Sequence, residues 1–374
     1  MSKKVLLSVA LMFALSVLTG CQLGNRTPKV GGKVSYKIGG IAPLTGGGAN
    51  LGQPYANGVE MAVAEINSSG GINGHNLEAN IQDGKLDSKE SLSATHFLLE
   101  KDNPDIFLSL LALPSLAISP VLKEAKKPMI YQAYVRDLLS DNPYAFKANF
   151  DALGGCEQLV SYAKDNGKYT KLGALLANVG YSEECLVGVK RVAPDIKEYR
   201  YTYGDTDFKT LLAKANSDGV DRLLFFGVDL EIRAMFKQLT ELGYPIKIMC
   251  STSAECIFPD IISSTPAAVL DGTLGIDFAP ADIGSSDFAK MYKSKYPAAS
   301  LSEVVWGAIG YEDVMYISKA MGICTPGDSQ CLTNALEKVS GYKSVLGSRG
   351  FVDRVLQLDN RIYDFEDGAW QLVK

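Results

Sequence analysis

IGGIAPLTGGGANLGQPYANGVEMAVAEINSSGGINGHNLEANIQD, residues 38–83, holds the reading on which the fold turns. Its opening, with the residues just before it (Ser35–Ala42, SYKIGGIA), is short and apolar without strict alternation, which predicts a buried strand. A glycine-rich turn follows, Gly46–Gly48, and then a helix from about Gln53 in which Val59, Val63 and Ile66 make an inward stripe at i, i+4 and i+7. The helix stops at Ser68-Ser69-Gly70-Gly71, because glycine accepts the positive φ that ends a helix. A second strand is predicted over Asn76–Gln82. Strand, helix and strand in this order make a parallel pair with a right-handed crossover.

Outward from this unit the alternation continues. Helix Ser88–Lys101, strand Ile106–Leu111, helix Ser115–Lys126 and strand Met129–Ala133 come next. After Gly154 a second run begins: helix Gly155–Asp165, strand Lys171–Ala177, helix Ser182–Val192, strand Glu198–Tyr203 and helix Phe208–Asn216. Strand Arg222–Val228, helix Leu230–Leu242 and strand Ile246–Cys250 complete it. Two such runs predict an α/β chain of two doubly wound, parallel-sheet lobes with helices on both faces. Ligands bind beyond the carboxyl ends of such strands, where helix N-termini also point. That rule selects the loops Pro43–Leu51, Ala112–Ser115, Tyr131–Val135, Val179–Ser182, Asp229 and Ser251–Glu255.

The chain has 374 residues, 47% hydrophobic and 21% charged, enough for two domains with proper cores. A net charge of −5, from 37 basic and 42 acidic residues, speaks against nucleic acid as a partner. No apolar run reaches the roughly 20 residues of a membrane-spanning helix. Only two histidines, His75 and His96, are available for chemistry.

The first residues read as a targeting segment. Lys3 and Lys4 precede an apolar run, Val5–Leu18, and then Leu18-Thr19-Gly20-Cys21. This resembles a bacterial lipoprotein signal (residues 1–20), cut before a Cys21 that carries lipid. Residues 21–33 read as a polar tether; about 12 residues reach at most about 40 Å. Gln22 rather than Asp after the lipidated cysteine resembles the sorting signal for a Gram-negative outer membrane. Six further cysteines remain: Cys156, Cys185, Cys250, Cys256, Cys324 and Cys331. Sequence alone leaves about 15 pairings open. Short spacing favours Cys324–Cys331 and Cys250–Cys256, which leaves Cys156 with Cys185. Export supplies the oxidising setting that structural disulfides require.

Residues 38–83 closely resemble the opening of the periplasmic branched-chain amino-acid-binding proteins, type I substrate-binding proteins of ABC importers. The likeness continues through NPDIFLSLLALPSLAISPVLKEAKKPMI (103–130), YAFKANF (144–150), DGTLGIDFAP (271–280), GAIGYEDVMYISKAM (307–321) and VLGSRGFVDRVLQLDNRIYDFEDGAWQ (345–371). The resemblance implies two lobes joined by three crossovers, near Asn149–Ala152, Ile276–Pro280 and Leu346–Phe351. Lobe 1 is then 34–150 plus 277–347, and lobe 2 is 151–276 plus 348–374. It also assigns pocket positions. Ala112 falls where amino-acid-binding members carry a carboxylate-binding serine, and Val135 where they carry a threonine. Thr252 falls at the acid that holds the ammonium, and a three-residue slip would place Glu255 there. Tyr181 matches a family pocket tyrosine, and Leu51 falls on the aromatic wall. A desolvated zwitterion needs both charges paired, so these replacements point away from an unmodified α-amino acid.

The expected ligand is a small organic solute with a ring or apolar body and a donor group facing Asp229. Leu51, Ala112, Leu113, Ser115, Ala133, Tyr134, Val135, Tyr181, Asp229 and Thr252 are its candidate contacts, with Tyr131 a further aromatic face and the backbone N–H groups near Ser115 and Ala133 a partial anion site. No enzyme, cofactor or metal is expected. There is no GxxxxGK[ST], GxGxxG or GxSxG, His75 lies in a turn, and His96 reads as a helix-face residue. Glu183-Glu184 and Glu312-Asp313 read as solvated or capping carboxylates, since adjacent helical residues do not face each other. Two functions follow from the resemblance: a solute-binding lipoprotein that presents its ligand to an ABC permease, or a regulatory lipoprotein of the same fold that contacts a cell-envelope partner.

Overall fold

Alternation of buried side chains along each strand sorts two sheets into layered cores. A computed structural model of the chain describes residues 35–227, 229–251, 259–280, 282–340 and 344–373. The chain begins β1 (Tyr36–Ala42), α1 (Ala49–Ser68), β2 (Leu77–Asp83), α2 (Ser88–Lys101), β3 (Ile106–Leu110), α3 (Ala112–Glu124), β4 (Met129–Gln132), α4 (Asp137–Asp141) and β5 (Ala145–Lys147). It continues α5 (Ala152–Asp165), β6 (Leu172–Ala177), α6 (Gly180–Val192), β7 (Lys197–Tyr201), α7 (Lys209–Ser217), β8 (Arg222–Phe226), α8 (Asp229–Leu242), β9 (Lys247–Cys250), α9 (Pro259–Ser264), α10 (Ala267–Leu270) and β10 (Leu274–Asp277). The last part is a 3₁₀ turn (Ile283–Ser285), α11 (Asp287–Lys295), α12 (Leu301–Met321), α13 (Ser329–Leu336), β11 (Gly350–Val352), β12 (Val355–Gln357), β13 (Arg361–Glu366) and β14 (Ala369–Leu372).

Each sheet has seven strands, in the orders β11-β12-β5-β4-β3-β1-β2 and β14-β13-β10-β9-β8-β6-β7. From β12 to β2 and from β10 to β7 neighbours run parallel; β11, β13 and β14 pair antiparallel at the opposite edges. In the first sheet Ile38, Ala42, Ile106 and Leu108 face one core, with α1 and α12. Ile41, Phe107 and Tyr131 face the other, with residues of α2 and α3. The second sheet divides likewise: Ala174, Leu176 and Leu224 lie with α5 and α6, Leu175, Leu223 and Phe225 with α7 and α8. This period-2 division is what a pleated strand covered on both sides must show. A sheet with its helices is called a lobe below.

Helix α12 is buried along most of its length because it lies directly on α1. A Cβ on Gly58 would collide with the Gly307 carbonyl, and one on Gly310 with the Tyr55 carbonyl. These glycines let two backbones touch. The Ser300 hydroxyl and the Glu303 carboxylate form a reciprocal capping box at the start of α12.

The alternation of elements is as expected, and three boundaries are corrected. The third crossover does not lie at Leu346–Phe351. Strands β11 and β12 extend the first sheet, where Val355 pairs with Lys147 of β5, so the chain changes lobes between Gln357 and Arg361. Residues 350–357 therefore belong with lobe 1, not lobe 2. Helix α1 starts at Ala49 rather than near Gln53, and α3 at Ala112 rather than Ser115. Both start without a side-chain cap, from Gly48 and Leu111 with φ of 89° and 73°, so the usual Ser/Thr/Asp/Asn signal is missing.

Cys156–Cys185 ties α5 to α6, and Cys324–Cys331 closes the turn between α12 and α13, as spacing suggested. Cys250 is disulfide-bonded; Cys256 lies outside the described residues. So do Cys21 with the whole signal and tether, Thr252, Glu255 and the side chain of Asp229. Among the described residues no helix is long and apolar enough to cross a membrane.

Candidate ligand cleft

In each sheet the first strand in chain order, β1 or β6, marks a reversal: the chain steps outward to β2 or β7 and then back across to β3 or β8. At such a switch point the loops diverge and leave a crevice. In the first lobe the loops after β1 and β3 border it, with Gly48 next to Leu111. In the second lobe the loops after β6 and β8 border it.

Asp83, at the end of β2, shapes the first of these loops. Its Oδ1 accepts the N–H groups of Leu44 at 2.9 Å, Thr45 at 3.3 Å and Lys85 at 2.9 Å, and its Oδ2 accepts the Thr45 hydroxyl. Burial alone pushes this carboxyl up, but the Thr45 hydroxyl and the three N–H groups outweigh it and hold Asp83 below the usual aspartate range. The loop after β3 is fixed by Ser115. Its hydroxyl bonds to Leu111 O at 2.7 Å and to Ser109 Oγ at 2.8 Å, and its N–H goes to Leu111 O at 3.3 Å.

The two lobes meet at these carboxyl edges. Tyr134, after β4, lies on Tyr181 of α6 with ring centroids 4.3 Å apart and planes tilted by 45°. Tyr181 stands edge-on to Phe226 at 6.0 Å and donates to Ser251 O at 3.1 Å. Val135 approaches Gly180, and the Arg136 N–H donates to Glu184 Oε1 at 2.7 Å. Aromatic faces from both lobes thus meet at one junction.

Below it lie buried polar groups. Gln132 Nε2 donates to both oxygens of Asp313 at 2.9 and 3.0 Å, and Tyr55 OH donates to Asp313 Oδ2 at 2.7 Å. Burial pushes the Asp313 carboxyl up to about 7 against these hydrogen bonds, and Glu312 beside it adds to the rise. Glu312 accepts from Ser344, Ser348 and the N–H groups of Val345 and Leu346, pinning the segment before β11 to α12. Lys147, fully covered at the end of β5, donates to Phe150 O at 2.8 Å and Asn149 O at 3.3 Å in the first crossover.

Of the expected contacts, the structure brings Tyr134, Val135 and Tyr181 together. Ala112 and Leu113 occupy the first turn of α3, Leu113 47% exposed, and Leu51 is half-buried on α1. Ser115 and Ala133 are buried, at 0% and 2% exposure, and the Ser115 hydroxyl and N–H bond within the loop after β3. Tyr131 is likewise at 0% and donates to Val135 O at 3.0 Å, bracing the loop from beneath. Asp229 is the first residue of α8.

The carboxylate pairs also need correction. Glu183 is solvated and pairs with Arg200, as expected, but Glu184 faces the other lobe, and Glu312 and Asp313 are both buried. Adjacent residues on a helix point about 100° apart, so one can face water while the next faces the core. Arg136, Lys147, Gln132 and Asp83 went unread because each acts through a partner distant in sequence.

Two α/β lobes that meet at the carboxyl edges of their seven-stranded sheets, with aromatic side chains from both, have the architecture of the periplasmic class of binding proteins. The profile of the periplasmic binding proteins matches residues 35–367, and the chain belongs to that family, one of binding proteins rather than enzymes. The Leu/Ile/Val-binding protein homolog 2 of Brucella abortus (strain 2308) is 24% identical over 323 residues, covering 84% of this chain and 85% of its own. Among solved structures, a leucine-binding protein from Thermotoga maritima superposes with a TM-score of 0.74 at 20% identity, covering 91% of this chain and 98% of its own. An R. palustris ABC-transporter solute-binding protein in complex with 4-hydroxybenzoate gives 0.74 at 18% identity, with 91% and 95% covered.

Proposed function

We propose that the protein is the extracytoplasmic solute-binding component of an ABC importer, anchored by lipid on Cys21, and that it captures a small organic solute between its lobes for delivery to a permease. The observation that carries this reading is the Tyr134–Tyr181 pair, contributed one ring from each lobe at the carboxyl edges of the two sheets. Val135 next to Tyr134, and Ala112 at the start of α3, are apolar where a zwitterion would need hydroxyls, and a ligand with a flat ring or apolar body suits such walls. Relatives named for leucine, isoleucine and valine, and a similar structure holding 4-hydroxybenzoate, bracket the same range of solutes. Asp229, at the start of α8, is the proposed acceptor for a donor group on the solute.

Calorimetry with leucine and with 4-hydroxybenzoate tests the reading. Binding of either one, weakened at least about tenfold (about 1.4 kcal/mol) by Asp229→Ala, is the expected result. Full affinity in that variant removes Asp229 from the site. No solute found by calorimetry or by mass spectrometry of the purified protein rejects the transport reading.

A further inference from the structure

Glu184 belongs to α6 of the second lobe, yet among the described residues the one hydrogen bond to its carboxylate comes from the first lobe, the Arg136 N–H at 2.7 Å on Oε1. Its other oxygen, Oε2, is buried and has no hydrogen-bond partner among the described residues. The cations nearby are engaged elsewhere. The Arg136 guanidinium is paired with Asp151 of the first crossover, at 3.2 Å, and the Lys147 ammonium, on β5, is bonded to the crossover carbonyls of Asn149 and Phe150. An ionised carboxylate in this position has given up water on one oxygen and received nothing in return. Parting the lobes would let water back to it, since its one donor sits on the opposite side.

From this geometry we infer that Glu184 is a proton-operated spring at the floor of the cleft: ionised, it drives the lobes apart, and protonated, it lets them stay shut. The inference rests on the reading of the inter-lobe space as a cleft that opens and closes. The groups facing Glu184 act in opposite senses. Burial raises its pKa above the ordinary glutamate value, Lys147 and Arg136 lower it, and Asp151 raises it, with a net rise. A site whose closed form raises a carboxyl pKa binds a proton more tightly closed than open, so by linkage acid favours closure and alkali favours opening. Tyr131, also within the field of Glu184, is held neutral by burial throughout this range. Lys147 is pushed down by burial to about 8, so measurements up to pH 7 leave it mostly charged. Asp313 titrates nearby, but Gln132 and Tyr55, which hold it, belong to its own lobe.

Small-angle scattering of solute-free protein between pH 5 and 7 decides the matter. The wild type is expected to expand as pH rises, whereas Glu184→Gln, the uncharged isostere, stays at the compact, low-pH size throughout. Glu184→Met, uncharged and of similar length, should match it, and serves if the glutamine variant folds poorly. Asp313→Asn should keep the wild-type response. A wild type that does not change size, or a Glu184→Gln protein that expands as the wild type does, overturns the spring. Because no solute is present, either result is independent of whether leucine or 4-hydroxybenzoate binds, which calorimetry alone answers.

Discussion

Asp313 shows how a single side chain can set the pH response of the fold. In the unfolded chain its pKa is about 3.9, as for any aspartate; in the native protein burial holds it at about 7. The folded state therefore binds the proton more tightly. The stabilisation is fully present below about pH 4 and disappears as pH climbs through 7, a change of about 4 kcal/mol at most. Asp313→Asn should flatten this slope and make the protein more stable than wild type at pH 8. Thermal unfolding at pH 4.5, 6 and 8 is the measurement; parallel curves for the two proteins would refute the assignment. Asp83 works in the opposite sense, since its depressed pKa gives stability above the ordinary aspartate range that is lost in stronger acid.

At the scale of elements, α1 and α12 pack backbone against backbone where glycines replace side chains. A methyl group on Gly310 would meet the Tyr55 carbonyl, which belongs to a helix and has no room to retreat. Gly310→Ala should cost about 1–3 kcal/mol, although in an isolated helix alanine is the better residue. Urea unfolding that shows equal or greater stability would mean that the helices can separate freely. The same pair carries Tyr55 and Asp313, so a shifted α12 should also disturb the buried network under the cleft.

For the whole molecule, the proposed capture of a solute turns on closure of one lobe on the other, and Tyr181 is a residue at which both meet. Its ring touches Tyr134 across the cleft, and its hydroxyl reaches Ser251 in its own lobe. Tyr181→Ala should leave the fold intact but reduce solute affinity by about tenfold or more, because a ligand then gains less by bridging the lobes. Isothermal titration with the best-binding solute checks this; unchanged affinity would place the ligand elsewhere.

Much of this was legible before any coordinates. Residues 38–83 alone carry the strand, turn, helix and stop that define a parallel α/β unit, since hydrophobic period and glycine positions are local properties. The order of elements as far as Cys250 and the division into two lobes followed from repetition of that pattern, whereas Tyr181 was singled out by the family resemblance. What sequence could not supply was every feature made by residues far apart. The third crossover moved because β11 pairs with β12, which pairs with β5, a contact across some 200 residues. Ser115 and Tyr131 turned inward, and Glu184 turned towards the opposite lobe, because which side of a helix or strand is covered depends on what packs there. Periodicity fixes which residues share a face; only the assembled tertiary structure decides what that face meets, and charge, exposure and function at a site depend on that meeting.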